Sequence, residues 1–209
     1  METIQVIKNN LKAVNLELTN EKLEKLDKYA QLLAKWNKTY NLVGKSTLEE
    51  IFSRHVLDSL QLVQYVQKLE LKERKVLDFG AGAGMPSVML AIVLDDVDII
   101  ACERIGKKCQ FLNQIRRELA LTNLTVVQDD VRNINTLFDL ITCRAVASMK
   151  DIFELTNELK QPNQPYLLPK GRNYLEEVEE AKQAGFDFEY VVSDSVLGEE
   201  SVVLEIASK

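Results

Sequence analysis

Two spacings of apolar residues divide the chain. Leu23, Leu26, Ala30, Leu33, Trp36 and Tyr40 recur at steps of three and four, the period of an amphipathic helix with its lysines largely on the other face. Thr19 or Asn20 supplies its N-cap. A second helix is predicted to open at Ser46, which has capping-box spacing to Glu49, with Leu48, Ile51, Phe52, Val56, Leu60, Val63 and Val66 inward. From Lys75 onward the rhythm changes to short apolar runs at 76–79, 97–102, 124–128, 138–143 and 166–168, separated by helical stretches such as 106–120 and 150–160. Strands that alternate with helices imply βαβ units and a mostly parallel sheet. After a glutamate-rich helix over 174–184, the runs 186–192 and 202–206 read as a closing antiparallel hairpin. The expected fold class is α/β and Rossmann-like, with a helical extension over 1–70 and a sheet domain over 71–209 forming one compact unit.

The first apolar run ends in Asp78-Phe79-Gly80-Ala81-Gly82-Ala83-Gly84-Met85-Pro86. Glycines at alternate positions let a backbone approach a ligand closely, and Pro86 suits a first helical position. A strand that breaks this way into a helix is built to hold a ligand at the helix N-terminus. Glu103 closes the next run, about 20 residues on, where a Rossmann-type site holds a ribose by its hydroxyls. The dinucleotide fingerprint G-x-G-x-x-G needs glycine at Met85, whereas this chain reads G-x-G-x-G with Gly84 one place early. That spacing resembles S-adenosylmethionine (AdoMet) sites more than NAD sites.

Further candidates fall at the same carboxyl edge. Asp129 and Asp130 follow the third run, where an acid can accept an adenine amino hydrogen. Arg144 follows the fourth, and a cation ending a buried strand needs a carboxylate or phosphate to meet. Lys170 and Arg172 follow the fifth. On the second helix stand Arg54 and His55, the chain's only histidine; a lone helical histidine more often packs or caps than catalyses, and Arg54 with Asp58 one turn later reads equally as a surface ion pair. Gly44-Lys45-Ser46 is not a P-loop, because the motif needs glycine at Thr39 and follows a strand, not a helix.

Composition adjusts this picture in four ways. With 209 residues and 46% hydrophobic content the chain can bury a sizeable core. Cys102, Cys109 and Cys143 are odd in number and lack C-x-x-C spacing, so they read as buried thiols of a reducing compartment, and no metal site is evident. No run approaches membrane length and the first residues lack signal-peptide character, so a cytoplasmic protein is expected. The net charge of −6 argues against nucleic acid, but residues 1–45 carry net +3 and residues 173–209 net −8. A local basic face can therefore still bind phosphate.

Taken together, Lys35-Trp36-Asn37 with Tyr40-Asn41-Leu42, Arg54-His55 with Asp58-Ser59-Leu60, the glycine loop, Phe111-Leu112, Phe138-Asp139, Arg144-Ala145-Val146-Ala147 and Lys170-Gly171 resemble the bacterial 16S ribosomal RNA methyltransferase G family, also called glucose-inhibited division protein B. The resemblance implies a class I AdoMet-dependent methyltransferase fold and methylation of guanine N7 in a small-subunit 16S rRNA loop near the decoding centre. It matches Gly80, Gly82, Gly84 and Met85 to the cofactor loop, Glu103 to the ribose acid, Asp130 to the adenine-side acid and Arg144 to the site arginine. Candidate cofactor contacts are thus Asp78, Gly80, Ala81, Gly82, Gly84, Met85, Glu103, Asp129, Asp130 and Arg144. Candidate RNA contacts are Arg54, His55, Arg144, Lys170 and Arg172. Ser87 and Gln128 depart from the family pattern, which has glycine and arginine there.

Guanine N7 is a lone pair without a proton, so no general base is assigned and catalysis should be mostly placement. The expected partner is 16S rRNA or the small ribosomal subunit, without a membrane, acted on by a monomer. Rival readings are a methyltransferase for a small molecule or protein, a nucleotide-dependent oxidoreductase, which the glycine spacing disfavours, and a non-catalytic AdoMet-binding adaptor.

Overall fold

Leu23, Leu26, Tyr29, Ala30 and Leu33 turn one stripe of helix α2 (Asn20–Tyr40) into the interior. Thr19 starts the helix, its hydroxyl accepting the Lys22 amide at 3.4 Å. The computed structural model describes residues 2–44, 51–159, 161–198 and 200–209, without the side chains of 2–6, 53 and 54. A helix the apolar spacing did not announce, α1 (Glu2–Leu11), precedes α2 and buries Ile7 and Leu11 against the same core.

The predicted second helix is broken. Its capping pair Ser46 and Glu49, with Leu48, lies outside the described residues. A wide π-type turn spans Ile51–Val56 and leads into α3 (Leu57–Leu60) and then α4 (Val63–Lys68). The cause is local. Buried Gln61 donates its side-chain amide to the Asp58 carbonyl at 3.0 Å, the oxygen that the Leu62 amide would use in a continuous α-helix. Leu62 donates to Ser59 O instead, at 3.3 Å.

Beyond residue 74 the expected alternation holds. Strands β1 (Lys75–Phe79), β2 (Asp98–Cys102), β3 (Leu124–Val127), β4 (Leu140–Thr142) and β5 (Pro165–Gly171) pair in parallel. The closing hairpin of β6 (Phe188–Asp194) and β7 (Ser201–Ser208) adds antiparallel strands, β7 pairing with β5, to give the order β3-β2-β1-β4-β5-β7-β6. Helices α5 (Ser87–Val93) and α6 (Gly106–Glu118) share one core with α1, α2 and α4. Helices α7 (Met149–Leu155) and α8 (Tyr174–Gln183) contribute to a second. Pro86 is the N-cap of α5, not its first residue: it follows a cis peptide bond, and its carbonyl accepts Leu90 N at 3.0 Å. The three cysteines are free and buried, as the sequence suggests.

The N-terminal helices are fastened to the sheet domain by specific polar contacts as well as apolar burial. Trp36 donates to Gln114 Oε1 at 2.8 Å while its ring meets Phe111 edge-on at 5.5 Å. Lys22 reaches the Val93 carbonyl at 2.8 Å and Asp95 at 2.6 Å.

Candidate active site

The sheet order reverses between β1 and β4, and open α/β sheets hold ligands outside the carboxyl ends of strands at such a point. Two adjoining cavities of about 480 and 360 Å³ occupy that position and share Gly80, Lys108, Ala145 and Ala147.

The glycine loop forms the floor between them. Gly80 and Gly84 have φ of +65° and +86°, and a Cβ there would stand 2.5 Å from Val146 Cγ2 or 2.3 Å from Val88 Cγ2. Gly80 thereby lets the loop after β4 close over the turn, and Gly84 lets α5 seat against it. A Cβ on Gly82 would meet only Gly80 O, at 3.7 Å, and Gly82 with Ala81 and Met85 lines the larger cavity. The loop is held from behind by Tyr29 of α2, whose buried hydroxyl donates to Ala83 O at 2.7 Å. Apolar spacing alone passes over Tyr29, although it lies three residues from Leu26 and four from Leu33 on the same stripe.

Asp78, expected among the cofactor contacts, lies beneath the loop and lines neither cavity. Its Oδ2 accepts the Ser87 amide at 3.0 Å, so a β1 carboxylate caps the start of α5. Among the described residues Oδ1 has no hydrogen-bond partner, and burial pushes the carboxyl up to about 7 against the opposing effect of Ser87. The unusual Ser87 is itself wholly buried.

Glu103 is 5% exposed and lines the smaller cavity. Its Oε2 accepts Gly82 N and its Oε1 accepts Ile105 N, each at 2.9 Å, and Lys108 Nζ is 3.9 Å away. A carboxylate has about four acceptor sites, so both oxygens keep capacity after being oriented by the backbone. At the far wall the expectation for Asp130 changes. Its two oxygens take the Arg132 amide at 3.1 Å and the Arg132 guanidinium at 2.9 and 2.8 Å, which holds its carboxyl well below the usual range. An acid at a turn satisfies its nearest donors first. Asp129 is similarly drawn to Asp130 N and Asn133, both at 2.7 Å from Oδ1. Gln128 rests over Gly106 at the start of α6.

The other half of the cleft is built from ion pairs. Arg144, just past β4, meets Asp58 Oδ2 at 2.9 Å, with side chains 15% and 9% exposed. Asp58 also accepts Gln61 at 2.7 Å; burial pushes its carboxyl up, and Arg144 opposes that change. Gln61 continues to Ser195 Oγ at 3.1 Å and accepts Val196 N at 3.0 Å, which ties the broken helix to the β6–β7 turn. Asp58 is also the anticipated surface partner of Arg54, whose side chain lies outside the described residues. His55 lines the larger cavity, and its carbonyl accepts Ser59 Oγ at 2.8 Å.

Lys170, expected to grip phosphate, is turned inward. Its side chain is 9% exposed and meets Glu177 Oε2 at 2.6 Å and Ala147 O at 3.0 Å. A charge at the end of a buried strand is held by the nearest carboxylate, and α8 supplies one. Arg172, at 74% exposure, lies on the surface 3.4 Å from Glu200. Of the basic residues read as one face, Arg144 and Lys170 therefore point inward onto acids while Arg172 does not.

The model of the family described as rRNA small subunit methyltransferase G matches residues 22–201. Proteins named ribosomal RNA small subunit methyltransferase G from Rickettsia bellii and Rickettsia rickettsii are 32% and 34% identical, each covering 92% of this chain, which spans 96% and 97% of theirs. Among solved structures, a magnesium protoporphyrin IX methyltransferase from Synechocystis PCC 6803 with bound SAM is similar over 93% of this chain and 100% of its own, with a TM-score of 0.61 at 15% identity. A SAM-dependent methyltransferase from Aquifex aeolicus covers 79% of this chain and 98% of its own, with a TM-score of 0.59 at 16% identity. At these identities the structures establish a common fold, the class I methyltransferase sheet.

Proposed function

The chain belongs to the rRNA small subunit methyltransferase G family, and from that premise we propose that it methylates N7 of a guanine in 16S rRNA, with AdoMet as methyl donor. Glu103 carries the reading: its carboxylate is fixed by two backbone amides at 2.9 Å on the wall of a 360 Å³ cavity and retains acceptor capacity for a ribose diol. The surroundings fit a nucleoside. Ile105, Val131 and Val146 give apolar walls, and the acids Asp129 and Asp130 share the cavity with the cations Arg104 and Lys108.

When bound, AdoMet supplies an electrophilic methyl group. The protein's part is positioning. Glu103 would hold the ribose, the Gly80–Gly84 loop would carry the methionyl portion along its open side, and the larger cavity would receive the base. Guanine N7 needs no deprotonation, and the two buried acids with raised pKa, Asp78 and Asp58, are engaged with α5 and Arg144. Holding two reactants in line supplies on the order of 7 to 11 kcal/mol.

The protein works as a monomer in the cytoplasm on RNA of the small subunit. Among the described residues no helix is long and apolar enough to cross a membrane. Incubation with labelled AdoMet and small subunits from a strain lacking the modification should place one methyl group on a 16S guanine. Absence of transfer to those subunits, with AdoMet bound normally in calorimetry, would overturn the substrate assignment.

A further inference from the structure

Lys170 and Glu177 have more hydrogen-bonding capacity than the fold uses. An ammonium has three N–H bonds; Lys170 directs two, to Ala147 O at 3.0 Å and Glu177 Oε2 at 2.6 Å. The same Oε2 accepts the Met149 amide at 2.9 Å, while Oε1 accepts nothing from the described residues. Both side chains line the larger cavity with Ala145, Ala147 and Gly171, at the carboxyl edge of β4 and β5. A spare donor thus stands beside a spare acceptor, on a mutually anchored pair, where the acceptor base would enter.

We propose that Lys170 and Glu177 read the Watson–Crick edge of the target guanine, Lys170 donating to O6 and Glu177 Oε1 accepting from N1–H and the exocyclic amine. This rests on the rRNA-methylation reading above and deepens it. Guanine presents an acceptor next to a donor, the complement of the pair, whereas adenine presents an amino donor next to the N1 acceptor and meets like against like. O6 lies between N1 and N7 on the purine, so a ring held by its Watson–Crick edge leaves N7 uncovered. Extruded bases are commonly read on this edge. The pair is poorly suited to phosphate, because the Lys170 charge is already balanced by a carboxylate and only 9% of the side chain is exposed. It also ties α8 to the start of α7, a structural role that would not discriminate between bases.

The test uses Glu177→Gln and Lys170→Met in the full chain. Methyl transfer to unmodified small subunits is measured over a salt series, with AdoMet affinity followed by calorimetry. Losing one charged hydrogen bond to the base should lower kcat/KM about 10- to 100-fold. AdoMet affinity and the salt slope should stay as in wild type, since base contacts release no counterions. Unchanged kcat/KM in both variants overturns the proposal. So does a slope flattened by about one counterion in Lys170→Met, which would make that residue a phosphate contact. Should the variants fail to fold, wild type is challenged at saturating AdoMet with guanosine 5′-monophosphate or 1-methylguanosine 5′-monophosphate as inhibitor. Inhibition at least about tenfold better by the unmethylated nucleotide supports the pair, and no discrimination overturns it. A wild type inactive on small subunits refutes the functional reading, and the pair's role with it; an active wild type with indifferent variants refutes the pair alone.

Discussion

The two halves of the cleft are made differently. The nucleoside half uses backbone and one acid from adjacent βαβ units: Gly80 to Gly84 follow β1, and Glu103 follows β2 and reaches back 21 residues to Gly82 N. The base-facing half uses side chains from distant segments: Arg144 finds Asp58 across 86 residues, and Gln61 finds Ser195 across 134. A backbone-built surface is fixed by local sequence. An ion-pair-built surface depends on which carboxylate the fold delivers to each cation. Mutations should therefore act locally on ligand affinity in the first half, and globally on stability in the second.

The strongest test of that division is Asp58→Ala, which leaves Arg144 buried without its carboxylate and removes one of the Gln61 acceptors. Removing one member of a buried pair costs about 3 to 5 kcal/mol, to be read from urea denaturation. Replacing both, as Asp58→Leu with Arg144→Met, should recover most of the stability but not methyl transfer. A single variant within about 1 kcal/mol of wild type would place the pair outside the stability-bearing part of the fold.

Asp78 probes the same contrast from beneath the loop. Its folded pKa of about 7 lies above the ordinary 3.8, so the folded state holds the proton more tightly and stability falls as pH rises between those values. Asp78→Asn removes that dependence. Relative to wild type, the variant should gain on the order of 3 kcal/mol between pH 4 and pH 7, because each pH unit inside that window is worth at most about 1.4 kcal/mol. Thermal melts of both proteins across that window decide it; parallel curves would mean that Asp78 is ionised throughout.

Glu103→Ala should weaken AdoMet by about 1 to 3 kcal/mol and leave the global fold intact, because the loss falls on the ligand and on the two amides the carboxylate orients. Calorimetry measures the first and denaturation the second. If stability falls by as much as affinity, the nucleoside half is as global as its neighbour and the contrast fails.

The same division explains what the sequence made legible. The strands, the glycine loop and Glu103 follow from apolar period and local spacing, and residues 75 to 208 adopt nearly the expected elements. Three features depended on side-chain partners that the apolar period does not reveal. The helix break at Gln61 required a side chain bound to Ser195, the inward turn of Lys170 required Glu177, and the closure of Asp130 required Arg132 two residues on. Only the last had a local signal. Tyr29 was detectable by period but carried no mark of its bond to Ala83.

The smallest expected effect belongs to Arg172, the one member of the anticipated basic face left on the surface among those whose side chains are described. Its partner Glu200 is 3.4 Å away and both are about three-quarters exposed, at 74% and 76%. Exposed pairs of this kind contribute about 0 to 1 kcal/mol, so the guanidinium can leave Glu200 for a phosphate at little cost. Arg172→Ala should accordingly leave AdoMet affinity and unfolding free energy unchanged. RNA binding should weaken modestly, and the slope of log affinity against log salt should flatten by about one counterion, or about 0.7 if the contacted strand is single. Glu200→Gln should do the reverse, strengthening RNA binding at low salt by removing a competing charge. Filter binding with small-subunit RNA from low to moderate salt distinguishes the two. If neither variant alters the slope, the phosphate contacts of this protein lie away from the end of β5, and the lysine-rich N-terminal segment, with net charge +3 over residues 1–45, becomes the surface to test.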